Sequence, residues 1–523
     1  MLNKFIKSKR NIFGLQVADW LILVIGIAVF VAISLFTITK SSIWFDEAFS
    51  AYLIRFDIVN VARYTANDIH PPLFYWLLKV WGMVFGHSEL ALRSMSVFFG
   101  GISIAIGYIL ANKLFNKNVA RFSLLFMSIS PMFIRYSQEM RMYTLAAAIS
   151  VAATYMLVVA LNSKKKLPWI IYGILVSLGM WTHYFMAVVW IAHWIWRADV
   201  IRRQVGKGKF VKAFFSKQWV MAYVIAIVFF VPWMKYFILQ TSIVQAAGFW
   251  IPAVTPNTLP NFITNIFYYL EVESVNGWFA LGIILAVVLL AILAVKVYKS
   301  QNQEQRQSYR LIMSLAFVPA LLLVVLSMPP LRPAFVDRYL VPSILFVSIF
   351  IGITLAQGLR FIKLRWRVLL VIMLVGLMSF GVTNVWYFGN YSKTSNASNN
   401  TREIIQAIVK KAEPGQPIIA DSPWLFYEAI FYAKADNPIY FINEKTTYKY
   451  GALDMLKYND QFKIKDINKF VATNSIVWYV GLPRGAAFDP PYSNWQALQK
   501  VFVSDSINGK PAYEAVQYKI VSN

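Results

Sequence analysis

Two adjacent carboxylates, Asp46 and Glu47, follow the first long apolar stretch of the chain. Behind them, apolar residues recur at the spacing of one helical face, at Phe49, Tyr52, Leu53 and Phe56. This spacing predicts a helix beginning beside Asp46, where free N–H groups and the helix dipole favour an ionised carboxylate. We interpret both acids as candidate catalytic residues, with Asp46 as a general base. Glu47 points about 100° away on the helix, so it is expected to bind the substrate, a metal or a neighbouring backbone group. A simple helix cap at Asp46 is the alternative, and it leaves Glu47 unexplained.

A histidine marks the other end of the same loop, in His70-Pro71-Pro72. Pro72 suits the first turn of a short helix that runs to about Trp81, with Asp68 close enough to help cap it. Such a helix is far too short to span a bilayer, which needs about 20 residues. Both helices of the loop are therefore expected to lie along the membrane surface.

A second polar stretch, residues 138–143, contains Gln138, Glu139, Arg141 and Tyr143. Arginine is the side chain best suited to bidentate phosphate contact, so Arg141 and Tyr143 are candidate donor-phosphate ligands. Glu139 would then orient them or bind the sugar, with Gln138 as a further substrate contact. The alternative is an ion pair between Glu139 and Arg135, four residues earlier on a helix. The sequence leaves both interpretations open.

Further polar residues stand at the ends of later apolar stretches: His183 with Tyr184, and Arg338 with Tyr339. His70, His183 and Tyr184 are candidate substrate contacts. Arg338 and Tyr339 either bind phosphate or anchor a helix at the membrane interface. No cofactor is certain, but Asp46, His70 and His183 could hold a divalent metal ion. A histidine satisfied at the interface is the simpler interpretation of each one alone.

The elements that must position these residues are membrane helices. The hydrophobic fraction is 58%, the mean hydropathy is +0.54, and there are 18 Trp and no Cys. Such a composition is typical of polytopic membrane proteins and excludes disulfides and thiolate metal sites. We predict eleven spans, near 18–38, 91–111, 119–136, 143–161, 167–182, 184–198, 218–238, 277–296, 310–327, 339–358 and 367–387.

The distribution of Lys and Arg predicts the orientation of the spans. With the N-terminus inside, the inner connecting segments carry more than twice as many Lys and Arg as the outer ones. The Asp46 loop and the C-terminal segment then lie outside. The net charge of +26 is explained by topology, so we predict no nucleic-acid partner.

The composition changes near residue 390. A Ser/Asn-rich linker is predicted at 390–401. Beyond it, apolar β-rich runs at 417–420, 438–442, 475–480 and 515–521 alternate with helical patterns at 402–412 and 423–433. This alternation predicts a small extracytoplasmic α/β domain, without a Gly-rich phosphate loop. The predicted division is 1–390 for a transmembrane domain with a catalytic outer loop at 39–90, and 391–523 for the second domain.

Five short segments resemble those of one family. They are Phe45-Asp46-Glu47-Ala48, His70-Pro71-Pro72-Leu73-Phe74-Tyr75-Trp76, Tyr136-Ser137-Gln138-Glu139-Met140-Arg141-Met142-Tyr143, Thr182-His183-Tyr184-Phe185 and Asp337-Arg338-Tyr339-Leu340-Val341-Pro342. In this order they resemble the C-type, multi-spanning glycosyltransferases of the protein O-mannosyltransferase and aminoarabinose transferase superfamily, over roughly residues 15–390. The resemblance implies an inverting, metal-optional enzyme that takes a sugar from a polyprenyl phosphate. It also implies that the acid of the first outer loop serves the acceptor, which is a cell-envelope glycan, lipid or protein hydroxyl.

The chain departs from these relatives at two points. Members resembling the aminoarabinose enzyme have Lys before the Pro-Pro pair, where this chain has His70, so the identity of the donor sugar does not carry over. The eukaryotic mannosyltransferases carry a large luminal module between spans, and no loop here has room for one. The expected location is therefore a bacterial or archaeal cell membrane.

Two other functional classes compete with this interpretation. A polytopic lipid or sugar transporter, or flippase, should show mid-span charges and an internal repeat, and little of either is visible. A non-catalytic scaffold or sensor would leave the outer-face acids, histidines and arginines unexplained.

Overall fold

The computed structural model describes residues 16–247, 251–269, 277–388, 400–434, 436–442, 455, 460–481, 492–504 and 511–521. These residues form two compact units that do not follow chain order. The first unit lies within Met1–Phe36, His70–Phe74 and Arg93–Gly389, and the second within Thr37–Ile69, Tyr75–Leu92 and Asn390–Asn523. Except for His70–Phe74, the outer loop thus groups with the C-terminal segment.

The first unit is helical. Its α-helices are α1 (Val17–Phe36), α5 (Glu89–Leu114, which begins in the second unit), α6 (Lys117–Ser128), α7 (Pro131–Ser137), α8 (Tyr143–Leu161), α9 (Leu167–Thr182), α10 (Met186–Gln204), α11 (Phe210–Phe214), α12 (Lys217–Ala247), α13 (Thr258–Phe267), α14 (Gly277–Ser300), α15 (Gln303–Leu326), α16 (Val341–Gly358) and α17 (Leu364–Thr383). Across the described part of the chain, eight helices are long and apolar enough to cross a membrane. The predicted polytopic membrane fold is therefore confirmed.

The other three predicted spans correspond to shorter or more polar helices. The stretch 119–136 divides into α6 and α7, because Pro131 occupies the first turn of a new helix. The stretch 167–182 is α9, which has 16 residues. The stretch 184–198 belongs to α10, whose last turns carry several charged residues.

Small residues allow the helices of the first unit to pack closely. A Cβ atom on Gly173 of α9 would lie 2.3 Å from the carbonyl oxygen of Ala222 on α12. On α16, a Cβ at Gly352 would lie 2.6 Å from the backbone nitrogen of Ser123 on α6. Close backbone approach of this kind favours dispersion contacts between helices in lipid.

His193, which the sequence left without a role, lies inside this helical packing. It is buried, and its ring nitrogens lie 3.1 Å from the hydroxyls of Thr154 and Tyr172. These contacts satisfy both ring nitrogens, as buried polar groups require.

The outer loop contributes three helices, α2 (Phe45–Leu53), α3 (Ile58–Ala66) and α4 (Leu73–Phe85). The predicted apolar face of α2 is buried at Phe49, Tyr52 and Leu53. Phe56 lies beyond the end of the helix, and its ring centroid is 5.7 Å from that of Tyr52. The sequence did not predict α3, which begins after Asp57, whose carboxylate accepts from two backbone N–H groups.

The C-terminal segment forms the predicted α/β structure. Its elements are α18 (Thr401–Val409), β1 (Ile418–Ala420), α19 (Pro423–Tyr432), β2 (Ile439–Ile442), β3 (Lys463–Ile464), α20 (Ile467–Thr473), β4 (Ile476–Gly481), β5 (Trp495–Ser504) and β6 (Pro511–Ile520). The sheet order is β3-β2-β1-β4-β6-β5, with β3, β2, β1 and β4 parallel and the last two pairings antiparallel. The four predicted strands and both predicted helices are present. The linker predicted at 390–401 lies outside the described residues up to position 399.

Candidate active site

The two adjacent acids occupy the first turn of α2. Trp44 is the N-cap residue, so Asp46 and Glu47 are the second and third residues of the helix. The alternative that Asp46 itself caps the helix is therefore wrong. Glu47 is fully buried, and its carboxylate accepts from the Trp44 N–H at 3.4 Å. Asp46 is half-buried.

Helix α19 packs against α2 inside the second unit. Its aromatic side chains meet those of α2 edge to face, and the centroids of Tyr52 and Tyr427 lie 5.1 Å apart. Phe45, the residue before Asp46, lies 6.1 Å from Trp424 by the same measure. Aromatic pairs in this geometry add specific attraction to the burial of apolar area. The position of the helix that bears the two acids is thus set by the C-terminal segment.

A third acid, Glu428 of α19, is buried in the same unit. Its carboxyl accepts from the Thr401 hydroxyl at 2.6 Å. Burial raises the pKa of Glu428 to about 8, with a smaller contribution in the same direction from the charge of Glu47 and an opposing one from the Thr401 hydrogen bond. Glu428 is therefore mainly protonated at neutral pH, and Glu47 faces a neutral neighbour.

In the first unit, Arg141 lies beside His70. Its Nη2 atom is 3.4 Å from Nε2 of His70, and only 2% of the residue is exposed. The backbone carbonyl of Arg141 accepts from the Ser96 hydroxyl of α5 at 3.2 Å, which fixes the turn between α7 and α8. A buried guanidinium held this way is pre-organised to bind an anion, because little side-chain freedom remains to be lost.

His183, between α9 and α10, joins these residues to the segment before α16. Its ring centroid lies 6.0 Å from His70, 6.2 Å from Tyr143 and 4.8 Å from Tyr339. Four separate segments of the first unit therefore bring their predicted residues together.

His183 of this cluster is neutral. Burial lowers the pKa of His183 well below its usual value, and the electrostatic effects of His70, Arg141 and Arg338 lower it further. The backbone N–H of Phe185 donates to its Nδ1 atom at 3.2 Å, so the neutral ring carries its proton on Nε2. His183 can thus donate a hydrogen bond to an oxygen ligand without adding charge.

Gln138 and Glu139 make contacts within the protein. The Glu139 carboxylate lies 2.5 Å from Nη1 of Arg135, which is the ion pair left open by the sequence. The Gln138 amide donates to the Ser34 carbonyl of α1 at 2.7 Å. These contacts tie the turn after α7 to its surroundings. The roles of both residues in substrate binding stay predictions.

The side chain of Tyr184 contacts α12, whereas its neighbour His183 contacts the cluster described above. The Tyr184 hydroxyl donates to the Gln240 side chain and accepts from the Trp233 indole at 2.7 Å. At the start of the 3₁₀ turn Asp337–Leu340, the Asp337 carboxylate accepts from the Asn265 amide of α13 at 2.7 Å. This bond holds α13 beside Arg338 and Tyr339.

Three aromatic residues extend the cluster beyond the predicted set. Phe185 stacks on Tyr339 with centroids 4.4 Å apart, and Tyr136 lies 5.4 Å from Tyr143. Tyr269 lies 6.3 Å from Tyr136 and has a φ of 42°, in the left-handed region. Phe185 and Tyr136 stand inside the sequence motifs, so their neighbours could have indicated them. Tyr269 follows α13 and has no comparable signal.

Among the described residues, no group of three or more His, Cys, Asp or Glu is placed to hold a metal ion. The divalent ion stays a prediction.

A family model and a solved structure are similar to this chain. Residues 69–236 match the model of the family described as dolichyl-phosphate-mannose-protein mannosyltransferase. The whole fold is similar to the crystal structure of ArnT from Cupriavidus metallidurans in the apo state, with a TM-score of 0.61 at 13% identity, over 96% of this chain and 98% of that one. The chain thus has the multi-spanning membrane fold of the Cupriavidus protein, and part of it matches a mannosyltransferase family model, in agreement with the resemblance seen in its motifs.

One further relative and a second structure of the Cupriavidus protein are also similar to this chain. The chain is 26% identical over 138 residues to the undecaprenyl phosphate-alpha-4-amino-4-deoxy-L-arabinose arabinosyl transferase of Pseudomonas savastanoi pv. phaseolicola, covering 24% of this chain. That match spans only 26% of the relative's length. The structure of the Cupriavidus protein bound to undecaprenyl phosphate is similar with a TM-score of 0.57 at 13% identity, over 96% of this chain and 98% of that one. At this identity the structural likeness establishes the fold alone.

Proposed function

We propose that the protein transfers a sugar from a polyprenyl-phosphate donor to an extracytoplasmic hydroxyl of a glycan, lipid or protein, with inversion at the sugar carbon. The observation that carries the proposal is the cluster of buried Arg141, His70 and neutral His183 in a chain with the C-type glycosyltransferase fold. The relative bound to undecaprenyl phosphate supports a lipid-phosphate donor.

The phosphate of the donor is the leaving group of this reaction. As the bond between sugar and phosphate breaks, negative charge grows on the phosphate oxygens. Arg141, with Arg338, is proposed to neutralise this charge, and fixed donors in a dry site stabilise developing charge more effectively than water does. The Nε2–H of His183 and the hydroxyls of Tyr143 and Tyr339 are proposed as neutral donors to the same oxygens or to the sugar.

The acceptor hydroxyl must lose a proton as it attacks the sugar carbon. We assign this proton to the Asp46 carboxylate, which lies in the first turn of α2. Glu47 is the weaker candidate base, because it is buried and bonded to the Trp44 N–H. Glu47 is proposed to fix the first turn of α2 by binding a neighbouring backbone group, which was one of the roles considered for it from the sequence.

The proposed setting is a cell membrane of bacterial or archaeal type, with the N-terminus in the cytoplasm and the second unit outside. The Lys and Arg bias of the connecting segments supports this orientation. A transporter or flippase is less well supported, because the family match and the relatives are transferases.

Mass analysis of cell-envelope glycans, lipids and glycoproteins tests the proposal in cells. Deleting the gene should remove one defined sugar from one class of acceptor, and the wild-type gene should restore it. An envelope with unchanged glycosylation but lipid-linked sugar accumulating on the cytoplasmic side would favour the transporter.

A further inference from the structure

The eight residues between α1 and α2 connect a membrane helix to the helix that bears Asp46. Inside the second unit, Arg402 of α18 contacts the backbone of this connection twice. Its Nη1 donates to the Thr39 carbonyl at 2.9 Å, and its Nη2 donates to the Lys40 carbonyl at 3.0 Å. One guanidinium therefore holds two successive peptide units with two different nitrogens at a fixed spacing, a geometry that a single lysine ammonium does not reproduce.

The same connection is bound at its next residues. The Ser42 hydroxyl donates to the Glu403 carboxylate at 2.9 Å and accepts from the backbone N–H of Arg402 at 3.1 Å. The Ile43 N–H donates to the hydroxyl oxygen of Tyr432, on α19, at 2.7 Å. Trp44, the N-cap of α2, follows directly. Residues 39–43 are thus held almost continuously up to the helix start.

Glu89, at the start of α5, contacts two of the side chains that hold this connection. Arg402, Glu89 and Tyr432 together form a bracket around residues 39–43. The Glu89 carboxylate lies 2.8 Å from Nη1 of Arg402 and also accepts from the Tyr432 hydroxyl. Arg402 pairs as well with Glu403 at 3.0 Å, and 20% of its side chain is exposed. The two carboxylates leave the guanidinium with a fixed orientation, because both ends of its fork are engaged.

We propose that Arg402 is a positioning residue for Asp46. The inference rests on the proposed function, since it gives the bracket of Arg402, Glu89 and Tyr432 a catalytic purpose. By fixing residues 39–43, the bracket sets where α2 begins and so where its second residue stands relative to the acceptor. A reacting group misplaced by about 1 Å can cost on the order of 100-fold in rate.

Steady-state kinetics of the full-length protein in proteoliposomes test the bracket. Arg402→Gln should lower kcat for transfer by about 10- to 100-fold and leave the donor KM within about twofold. Arg402→Lys should recover little, because it restores charge without the two carbonyl contacts. The matched control is Lys411→Gln, an exposed cation just beyond the end of α18, which should leave kcat unchanged. If Arg402→Gln fails to fold, Tyr432→Phe is the replacement variant. It removes the hydroxyl that accepts from the Ile43 N–H without changing the charge, and kcat should fall in the same direction.

Two additional readouts separate positioning from general damage. In an Asp46→Asn background, Arg402→Gln should lower kcat by less than about twofold more, because residues that act as a unit are not additive. A full additional loss would overturn the proposal. Hydrogen exchange of peptides covering 39–47 should accelerate in Arg402→Gln, and unchanged exchange would contradict the bracket. Hydrogen exchange is measured without substrate, so it tests the contacts of Arg402 independently of activity. A wild-type protein that transfers no sugar would therefore refute the proposed function, while the exchange result would still decide whether Arg402 fixes residues 39–43.

Discussion

Asp46 and Glu47 are neighbours in sequence but have different environments. Glu47 is buried and bonded to the first backbone N–H of its own helix start, whereas Asp46 is half-buried in the second position of α2. At the scale of single residues, we propose different roles for the two acids. In the proposed mechanism, Asp46 takes the proton of the acceptor, and Glu47 fixes the turn from which Asp46 projects.

Replacing Asp46 with Asn tests this division. The change preserves shape and leaves the N-cap residue, Trp44, untouched, so folding should be normal. Loss of the general base should lower kcat by at least about 100-fold. The control is Asp57→Asn at the N-cap of α3, since Asn caps a helix as well as Asp does. Turnover near the wild-type rate in Asp46→Asn would remove Asp46 from the mechanism.

Replacing Arg141 with Ala tests the donor site. A charge-assisted hydrogen bond to phosphate contributes about 1.5–3 kcal/mol, so kcat/KM for the donor should fall by about 10- to 150-fold. Arg203→Ala, at an exposed arginine paired with Asp199 in α10, is the matched control and should change little. Donor kinetics like those of the wild type in a folded Arg141→Ala protein would assign Arg141 a structural role beside His70.

At the scale of elements, α19 is the helix of the C-terminal segment that packs against α2 of the outer loop. Helix α19 provides aromatic contacts along α2, where the rings of Phe49 and Tyr52 both meet that of Tyr427. The buried Glu428 lies on the same helix as these aromatic residues. Its ionisation therefore links the stability of this packing to pH.

The stability of the second unit should decrease as pH rises through the range from about 4.5 to about 8. In this window the folded state keeps the Glu428 proton that the unfolded chain has lost, so folding is favoured below it and penalised above it. Glu428→Gln stays neutral and can still accept from Thr401. It should therefore unfold at a higher temperature than the wild type at pH 8.5 and at a similar temperature at pH 4.5. If the unfolding temperatures of the two proteins changed with pH in parallel, Glu428 would not be buried in its protonated form in the folded state.

Elements were predicted well from the sequence where a continuous run of apolar residues alone was enough to indicate them. The eight long apolar helices and strands β1, β2, β4 and β6 fall close to their predicted positions. Strand β5 was missed because most of its side chains are exposed, and its strand form depends on antiparallel pairing with β6. Helix α3 was missed because its start signal is the cap at Asp57, within a polar loop.

The candidate site was predicted in part for similar reasons. Residue type and motif order indicated Arg141, His70, His183 and Tyr339, which the first unit does bring together. Whether Glu139 binds Arg135 or a ligand depends on the turn after α7, which spacing alone does not determine. Tyr269 enters through a left-handed backbone conformation that nothing in the sequence signals.

At the scale of the whole molecule, orientation in the membrane must agree with the chemistry. The proposed donor presents its sugar at the outer face, so the proposed mechanism requires the Asp46 loop and the C-terminal segment to lie there. A reporter that is active only outside the cytoplasm should therefore be active when fused after Asn523. The same reporter fused after Ser163, in the connection between α8 and α9, should be inactive. The reverse pattern would invert the proposed topology.

The central claim is sugar transfer from a lipid phosphate, and stoichiometry tests it most directly. Purified full-length protein in proteoliposomes should be supplied with a panel of polyprenyl-phosphate hexoses and pentoses together with envelope acceptors. One polyprenyl phosphate should be released for each sugar transferred, and the product should have the inverted anomeric configuration. Transfer from a nucleotide sugar without any lipid carrier, or movement of the lipid-linked sugar across the bilayer with no product formed, would contradict the claim.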